Sequence, residues 1–186
     1  MLDVVLLAEI LWCVLWYRSV GIHKSLLYSG GFVAAGYVSL QVSEWFTNTF
    51  LPPTNPVFTW VEGHLATDSQ TRSVLSRYLP PQPAAVDLGH SHWLAYYVIQ
   101  GIMVVAMTAA VFSAFLIVGY LVDALWDRPP ASLHRSATLW SLVLGLASGS
   151  YGALLTSQLV VYLAWIRNLH GLAVLLRSSA IIHWLP

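Results

Sequence analysis

The stretch that decides the fold is residues 93–126, WLAYYVIQGIMVVAMTAAVFSAFLIVGYLVDALW, in which no charged side chain appears before Asp123. A helix needs about 20 apolar residues to cross the hydrocarbon core of a bilayer. This stretch is longer than that, so we expect it to tilt within the membrane or to protrude from it. It therefore predicts a protein built from membrane-embedded helices.

The composition of the whole chain agrees with that prediction. Hydrophobic residues make up 58% of the 186 residues and charged residues only 9%, whereas a soluble domain carries about 25% charged residues. Eight basic and eight acidic side chains leave no net charge, so no nucleic-acid partner is predicted. We predict an all-α, polytopic membrane protein that forms a single domain.

Three further apolar segments bring the prediction to about four transmembrane helices. They cover residues 4–17, 25–42 and 137–166. No basic residue precedes the first, so it is expected to be a retained helix and not a signal peptide.

The outer loop, residues 44–92, is polar, and its prolines bracket two short segments that we predict to be interfacial amphipathic helices. In the first, Val57, Val61 and Leu65 are expected to share one face. The second short segment consists of Val74, Leu75, Tyr78 and Leu79, with Asp68 or Ser69 as N-cap.

The tail, residues 172–186, is predicted to be interfacial or re-entrant.

Basic residues in the short loops predict the orientation. The positive-inside rule places Arg18 and Lys24, and likewise Arg128 and Arg135, on the cytoplasmic side. Both termini and the outer loop are then outside, together with Arg167 and Arg177, which oppose this assignment.

A cytoplasmic charge cluster is also expected. Asp123 and Asp127 lie four residues apart at the end of a helix, where like charges repel and acidic groups oppose the helix dipole. Arg18 and Lys24 lie on the same predicted side and would offset them. We interpret this cluster as structural.

Glu9 lies inside the first apolar segment, where a charged carboxylate costs at least about 2.5 kcal/mol on insertion scales. It is therefore expected to be protonated, paired, or turned toward other helices or water. A proton or ion relay normally needs a second intramembrane ionisable group, and none stands out at mid-depth. We favour a hydrogen bond to a neighbouring helix or partner subunit, with a relay as the alternative.

The second and fourth segments carry small residues at packing intervals. Small residues four apart let helix backbones approach closely in lipid. We expect these segments to pack on each other or on a second copy of the chain, in preference to lining a substrate path. The packing residues are Gly30, Gly31, Gly36, Gly145 and Gly149.

His90 and His92 are the weak candidates for cofactor binding. Two histidines could offer metal ligands, or one could be an axial ligand to a haem or a chlorophyll-type pigment. No third ligand has a recognisable spacing, so neither a metal site nor a bound cofactor is predicted. Motifs for hydrolytic or phosphoryl chemistry are absent, and we predict no catalytic residues and no enzyme activity.

The chain resembles the CvpA family, named for colicin V production, over nearly its whole length. Asp3 precedes the first helix, and residues 17–24, YRSVGIHK, are similar to the family's Tyr-Arg-Arg-Gly turn. A glycine follows in the second helix, and Gly145 and Gly149 match the glycine-spaced fourth helix. Residues 176–179, LRSS, resemble a late Leu-x-x-Ser motif.

The chain also departs from the family pattern. One extra residue separates Arg18 from Gly21, the second arginine is missing, and Glu9 is not typical.

The resemblance implies a bacterial inner-membrane protein with a role in envelope function or export. One alternative is an accessory subunit of a respiratory or photosynthetic membrane complex that contacts partner helices, lipids or pigments. Another is a small transporter or channel component that uses Glu9.

Overall fold

A computed structural model describes residues 1–52, 54–65, 75, 89–125, 135–169 and 171–180. Within these ranges the chain is all-helical, and its one extended pairing is an isolated bridge between Leu65 and Ile166. A short 3-10 turn, Arg167–Leu169, precedes the last helix. The helices are α1 Leu2–Val20, α2 Ile22–Phe50, α3 Pro56–Gly63, α4 His90–Leu125, α5 Arg135–Ala164 and α6 Gly171–Arg177.

The turn between α1 and α2 depends on Gly21. Its φ of +81° lies in the left-handed region, which side chains with a Cβ rarely adopt. The Ser25 hydroxyl lies 3.0 Å from the Tyr17 carbonyl oxygen, which belongs to the last turn of α1 and has no helical partner there. It also lies 2.8 Å from the Gly21 carbonyl oxygen, which accepts the Ser25 backbone N–H as well. Asp3 in the first turn of α1 and Arg18 in its last turn both complement the helix dipole.

Helix α2 continues to Phe50, past the predicted end of the span at residue 42. Glu44 is exposed on the surface of this helix, so its charge does not end it. Ser43 and Thr47 lie on the buried side of the same turns. The helix stops just before Pro52, because a residue that precedes proline is disfavoured in helical geometry.

Helix α3 is capped by Asn55, whose side-chain oxygen accepts a hydrogen bond from the Val57 backbone N–H at 2.9 Å. The buried face of this segment consists of Phe58, Val61 and Leu65. The sequence pattern predicts Val57 on that face, but Val57 is 50% exposed, and Phe58 takes its place.

Two helices are long and apolar enough to cross a membrane, counted over the described residues: His90–Leu121 and Leu139–Ala164. Only 11% of the most apolar window of the first is buried within the chain, and 33% of the second. The core helix of a soluble protein would be mostly buried, so these two helices suggest an association with a membrane.

The chain forms two compact units that share the long helices. The first unit comprises Met1–Asp3, Gln41–Val104 and Thr156–Pro186, and its fully buried side chains include Phe58, Leu176 and Trp165.

The second unit comprises Val4–Leu40 and Val105–Leu155, and its fully buried side chains include Leu6, Tyr17 and Thr108.

Of the second predicted short segment only Leu75, which is buried, falls within the described residues. The predicted tail is described as far as residue 180, and α6 buries Ala173 and Leu176.

Candidate functional site

The outward surface of the long helices is mainly apolar. On α1 every exposed residue between Val4 and Leu15 is hydrophobic, and α2, α4 and α5 also expose many large aliphatic and aromatic side chains among fewer polar ones. Exposed apolar surface of this extent marks a membrane or protein interaction surface. Between Val4 and Leu40 its large members are Val4, Val5, Leu7, Leu11, Trp12, Leu15, Leu26, Leu27, Val33, Tyr37, Val38 and Leu40.

The buried polar side chains are hydroxyls. Helices can satisfy such groups internally, because a hydroxyl can donate to the carbonyl one turn back, as Ser39 does to Ala35 at 2.7 Å. In the second unit the Ser148 hydroxyl donates to that of Ser29 at 3.1 Å, which joins α5 to α2. The buried polar residues described are Ser25, Ser39, Ser43, Thr47, Thr108, Ser141, Ser148, Ser157 and Ser179.

Two predicted packing glycines of α5 face α1. A Cβ built at Gly145 would lie 2.9 Å from the Cα of Val14, and one at Gly149 would lie 3.0 Å from the Cα of Ile10. Both neighbours are backbone atoms, which cannot move aside as the end of a side chain can. The two helices therefore touch backbone to backbone at these positions, which is the geometry that small residues permit.

Glu9 extends this contact by one more turn. A Cβ at Gly152 would lie 3.0 Å from Glu9 Oε1 and 3.8 Å from the ring of Phe32. The carboxylate therefore packs on a position of α5 that has no side chain. Glu9 is partly buried and is turned toward a neighbouring helix. This orientation is one of those expected from the sequence for a carboxylate inside an apolar segment.

The glycines of α2 have different surroundings. A Cβ at Gly31 would lie 3.1 Å from the nearest ring atom of Phe115, and Gly36 packs directly under the Tyr151 hydroxyl. A Cβ at Gly30 would meet no atom within 4 Å. Adjacent positions of a helix point in different directions, so Gly30 faces open space whereas Gly31 contacts Phe115.

His90 and His92 lie at the start of α4, in the first unit, but they have different neighbours. The His90 ring lies 5.9 Å from that of Trp93, whereas the His92 ring packs 4.6 Å from Phe58. His92 Nδ1 is also 3.5 Å from Glu62 Oε2. Over the residues that the structure describes, no group of three or more histidine, cysteine or acidic side chains could hold a metal ion.

Half of the predicted charge cluster lies outside the described residues. Asp127 is not described, and neither is the side chain of Asp123. Arg18 is exposed and Lys24 is half-buried, and both lie beside the turn at Gly21. The cluster therefore stays a prediction.

Sequence reasoning missed the role of Asp3. Its carboxylate accepts a hydrogen bond from the buried Ser179 hydroxyl and another, at 3.0 Å, from the Ala180 backbone N–H. Both groups belong to the first unit. Asp3 and Ser179 belong to the first and last motifs quoted for the family resemblance, but their separation of 176 positions hid the contact.

Comparisons of the chain with protein-family models, with curated proteins and with solved structures give no match.

Proposed function

We propose that this chain is a non-enzymatic, multi-pass protein of the bacterial inner membrane, with α1, α2, α4 and α5 embedded in the bilayer. Its role is CvpA-like, in envelope function or export. The observation that carries the proposal is the distribution of side chains: apolar side chains make up most of the exposed surface of the long helices, and the buried polar residues in the described ranges are serines and threonines. A water-soluble helical bundle has the opposite distribution.

Among the helices that the structure describes, only α4 and α5 contain a span that is long and apolar enough by composition, so α1 and α2 need a separate argument. The exposed face of α1 offers only apolar side chains from Val4 to Leu15. Its one interior charge, Glu9, packs on Gly152 of α5 and so is turned away from that face. Such a face suits the hydrocarbon of a bilayer, which supports an embedded α1.

The contact between Asp3 and Ser179 supports the CvpA-like part of the proposal. The resemblance quotes motifs at both ends of the chain, and in the first unit these ends hydrogen-bond to each other. Gly21, which is the glycine of the family-like turn, has the positive φ that explains why a glycine is used there. The two motifs thus have physical roles in this chain.

Fractionation and site-specific labelling test the membrane topology. Cys13 is the only cysteine, so Cys13→Ser gives a background for single-cysteine variants. His23→Cys lies beside the α1–α2 turn, and Ser178→Cys occupies an exposed position after α6. We expect the protein to stay in membranes through an alkaline carbonate wash. We expect a membrane-impermeant maleimide to label residue 178 on intact spheroplasts, and residue 23 only after lysis. Release by carbonate, or labelling of both positions from one side, contradicts four spans.

A second candidate, an accessory subunit of a larger membrane complex, is favoured by one observation. Trp12 is 73% exposed near the middle of α1. Tryptophans of membrane helices concentrate at the ends of spans, in the interfacial belts. A large exposed ring at mid-span suits the groove of a partner helix, where aromatic side chains are favoured.

Native purification separates the two candidates. We expect mild-detergent extraction to yield co-purifying subunits if the second candidate is correct, and Trp12→Leu to release them. Trp140→Leu is the matched control, because Trp140 is 62% exposed but lies near the start of α5. A single stoichiometric species that is insensitive to Trp12→Leu excludes the subunit role. An absorption spectrum of the same sample tests for a haem or pigment at His90 or His92.

A further inference from the structure

Helix α3 carries a second apolar surface in addition to its buried face. Val57 and Trp60 are each 50% exposed and lie three positions apart, so they share one flank of the helix. The His64 ring stacks on Trp60 with 4.5 Å between ring centroids and continues this flank by one turn. We call Val57, Trp60 and His64 the aromatic flank of α3.

The opposite flank is polar. Thr59 and Gly63 are exposed, and Glu62 is half-buried. Glu62 accepts a hydrogen bond from the Ser91 hydroxyl at 3.3 Å. The outer surface of α3 is therefore divided lengthwise into an aromatic half and a polar half, as in helices that lie flat at a membrane surface.

Contacts within the first unit place α3 beside the ends of the two most apolar helices. Glu62 contacts Ser91 in the first turn of α4. At the same C-terminal end of α3, the carbonyl of its C-cap residue His64 accepts a hydrogen bond from the Arg167 backbone N–H at 2.8 Å, just after α5 ends. The ends of spanning helices mark the interface between hydrocarbon and water, so α3 lies at that level if α4 and α5 span.

We infer that α3 is an interfacial helix whose aromatic flank inserts between lipid headgroups and acyl chains while its polar flank faces water. The inference rests on the proposed membrane location and assigns it a specific lipid-contacting surface. Trp60 is the anchor, because the indole ring combines a large apolar area with an N–H donor and prefers this zone. Buried Phe58, Val61 and Leu65 fix the rotation of the helix and so decide which flank meets the lipid.

Spin labels test the two flanks in the Cys13→Ser background. Val57→Cys and Thr59→Cys occupy exposed positions on opposite flanks of the same helix, and Leu11→Cys, exposed in the middle of α1, is the reference for bilayer depth. The labelled proteins are reconstituted in phosphatidylcholine–phosphatidylglycerol vesicles. Accessibility to oxygen, which concentrates in lipid, is compared with accessibility to a water-soluble nickel chelate.

We expect the label at residue 57 to favour oxygen severalfold over the nickel chelate, and the label at residue 59 to show the reverse preference. Trp60→Ser should shift the residue 57 label toward the aqueous pattern, whereas Trp60→Phe should leave it in lipid. Equal accessibility at residues 57 and 59 would overturn the inference, as would spin–spin broadening at residue 57, which indicates a second copy at this surface. If the Leu11 label is also aqueous, the proposed membrane location itself fails.

Discussion

The carboxylate of Asp3, in the first turn of α1, accepts hydrogen bonds from the Ser179 hydroxyl and the Ala180 backbone N–H. Ser179 is almost fully buried, and a buried hydroxyl is expected to be hydrogen-bonded. Asp3 also satisfies an amide N–H at the point where the chain resumes helical geometry at residue 180, as an N-cap would. One acidic side chain thus joins the first helix to the segment that follows the last.

The first prediction concerns this contact. Asp3→Ala and Ser179→Ala should each lower the free energy of unfolding by about 1–3 kcal/mol, since each removes one partner of a hydrogen bond to a charged group. Ser178→Ala is the control, because the Ser178 hydroxyl is exposed and donates to a local carbonyl, that of Leu175. Unfolding by SDS in dodecylmaltoside micelles measures the three variants. Equal stability of Ser178→Ala and Ser179→Ala contradicts the role of the contact.

The second prediction concerns the contact between α1 and α5. Gly145→Ala and Gly149→Ala should destabilise the protein by about 1–3 kcal/mol, because each new methyl meets backbone atoms of α1 and forces the helices apart. Gly30→Ala is matched to them, since it also lies within a long helix but has open space around it. It should be neutral or should stabilise by up to about 1 kcal/mol through helix propensity. Equal effects at all three positions would refute the close approach.

The third prediction tests whether the position of the Glu9 carboxylate depends on the absence of a side chain at Gly152. Gly152→Ala introduces a methyl 3.0 Å from Glu9 Oε1 and should displace the carboxylate. The cost should be smaller when Glu9 is already replaced by alanine. A double-mutant cycle of Glu9→Ala and Gly152→Ala should therefore give a coupling of about 0.5–2 kcal/mol. Additive effects would show that the two residues act independently.

Glu9→Gln decides between the structural and the transport interpretation of the same residue, and it is the fourth prediction. We expect the amide to keep the shape and packing of the carboxylate, so stability should change by less than about 1 kcal/mol. We also expect no change in proton or ion flux in proteoliposomes, because the proposed role is not transport. A flux that is present in the wild type and lost in Glu9→Gln supports a transporter or channel component instead.

The fifth prediction concerns the turn between α1 and α2. A Cβ at Gly21 would meet no atom within 4 Å, so Gly21→Ala introduces no clash. The φ of +81° nevertheless disfavours alanine by about 1–2 kcal/mol. The loss of stability, measured by the same SDS unfolding, should therefore exceed that of Gly30→Ala, which is equally open but helical. Asn, which tolerates this region better than alanine, should recover part of the loss.

The helical class and the two most apolar helices follow from local sequence. The run from Trp93 to the first charge at Asp123 is long and apolar enough to cross a membrane, and this property does not depend on what the helix packs against. The predicted bounds of the other segments are less accurate. The predicted second span ends at residue 42 and the predicted outer loop begins at residue 44, but a charge on the exposed side of a helix does not stop it, and α2 continues past Glu44 to Phe50.

Which residues meet was decided by the tertiary structure. Helix rotation separates Gly30 from Gly31, and Phe58 from Val57, although the members of each pair are adjacent in the chain. The sequence predicts that the glycines of α5 pack closely, but only the fold assigns α1 as their neighbour.

The sequence by itself determined the helical class and the apolar character of the long helices, since both properties are sums over local side chains. Only the tertiary structure brought Asp3 to Ser179 and Glu9 to Gly152. Such contacts depend on the relative rotation and axial position of helices far apart in sequence. In an apolar chain many rotations bury similar areas, so backbone approach at a few glycines and hydrogen bonds of a few polar groups select among them.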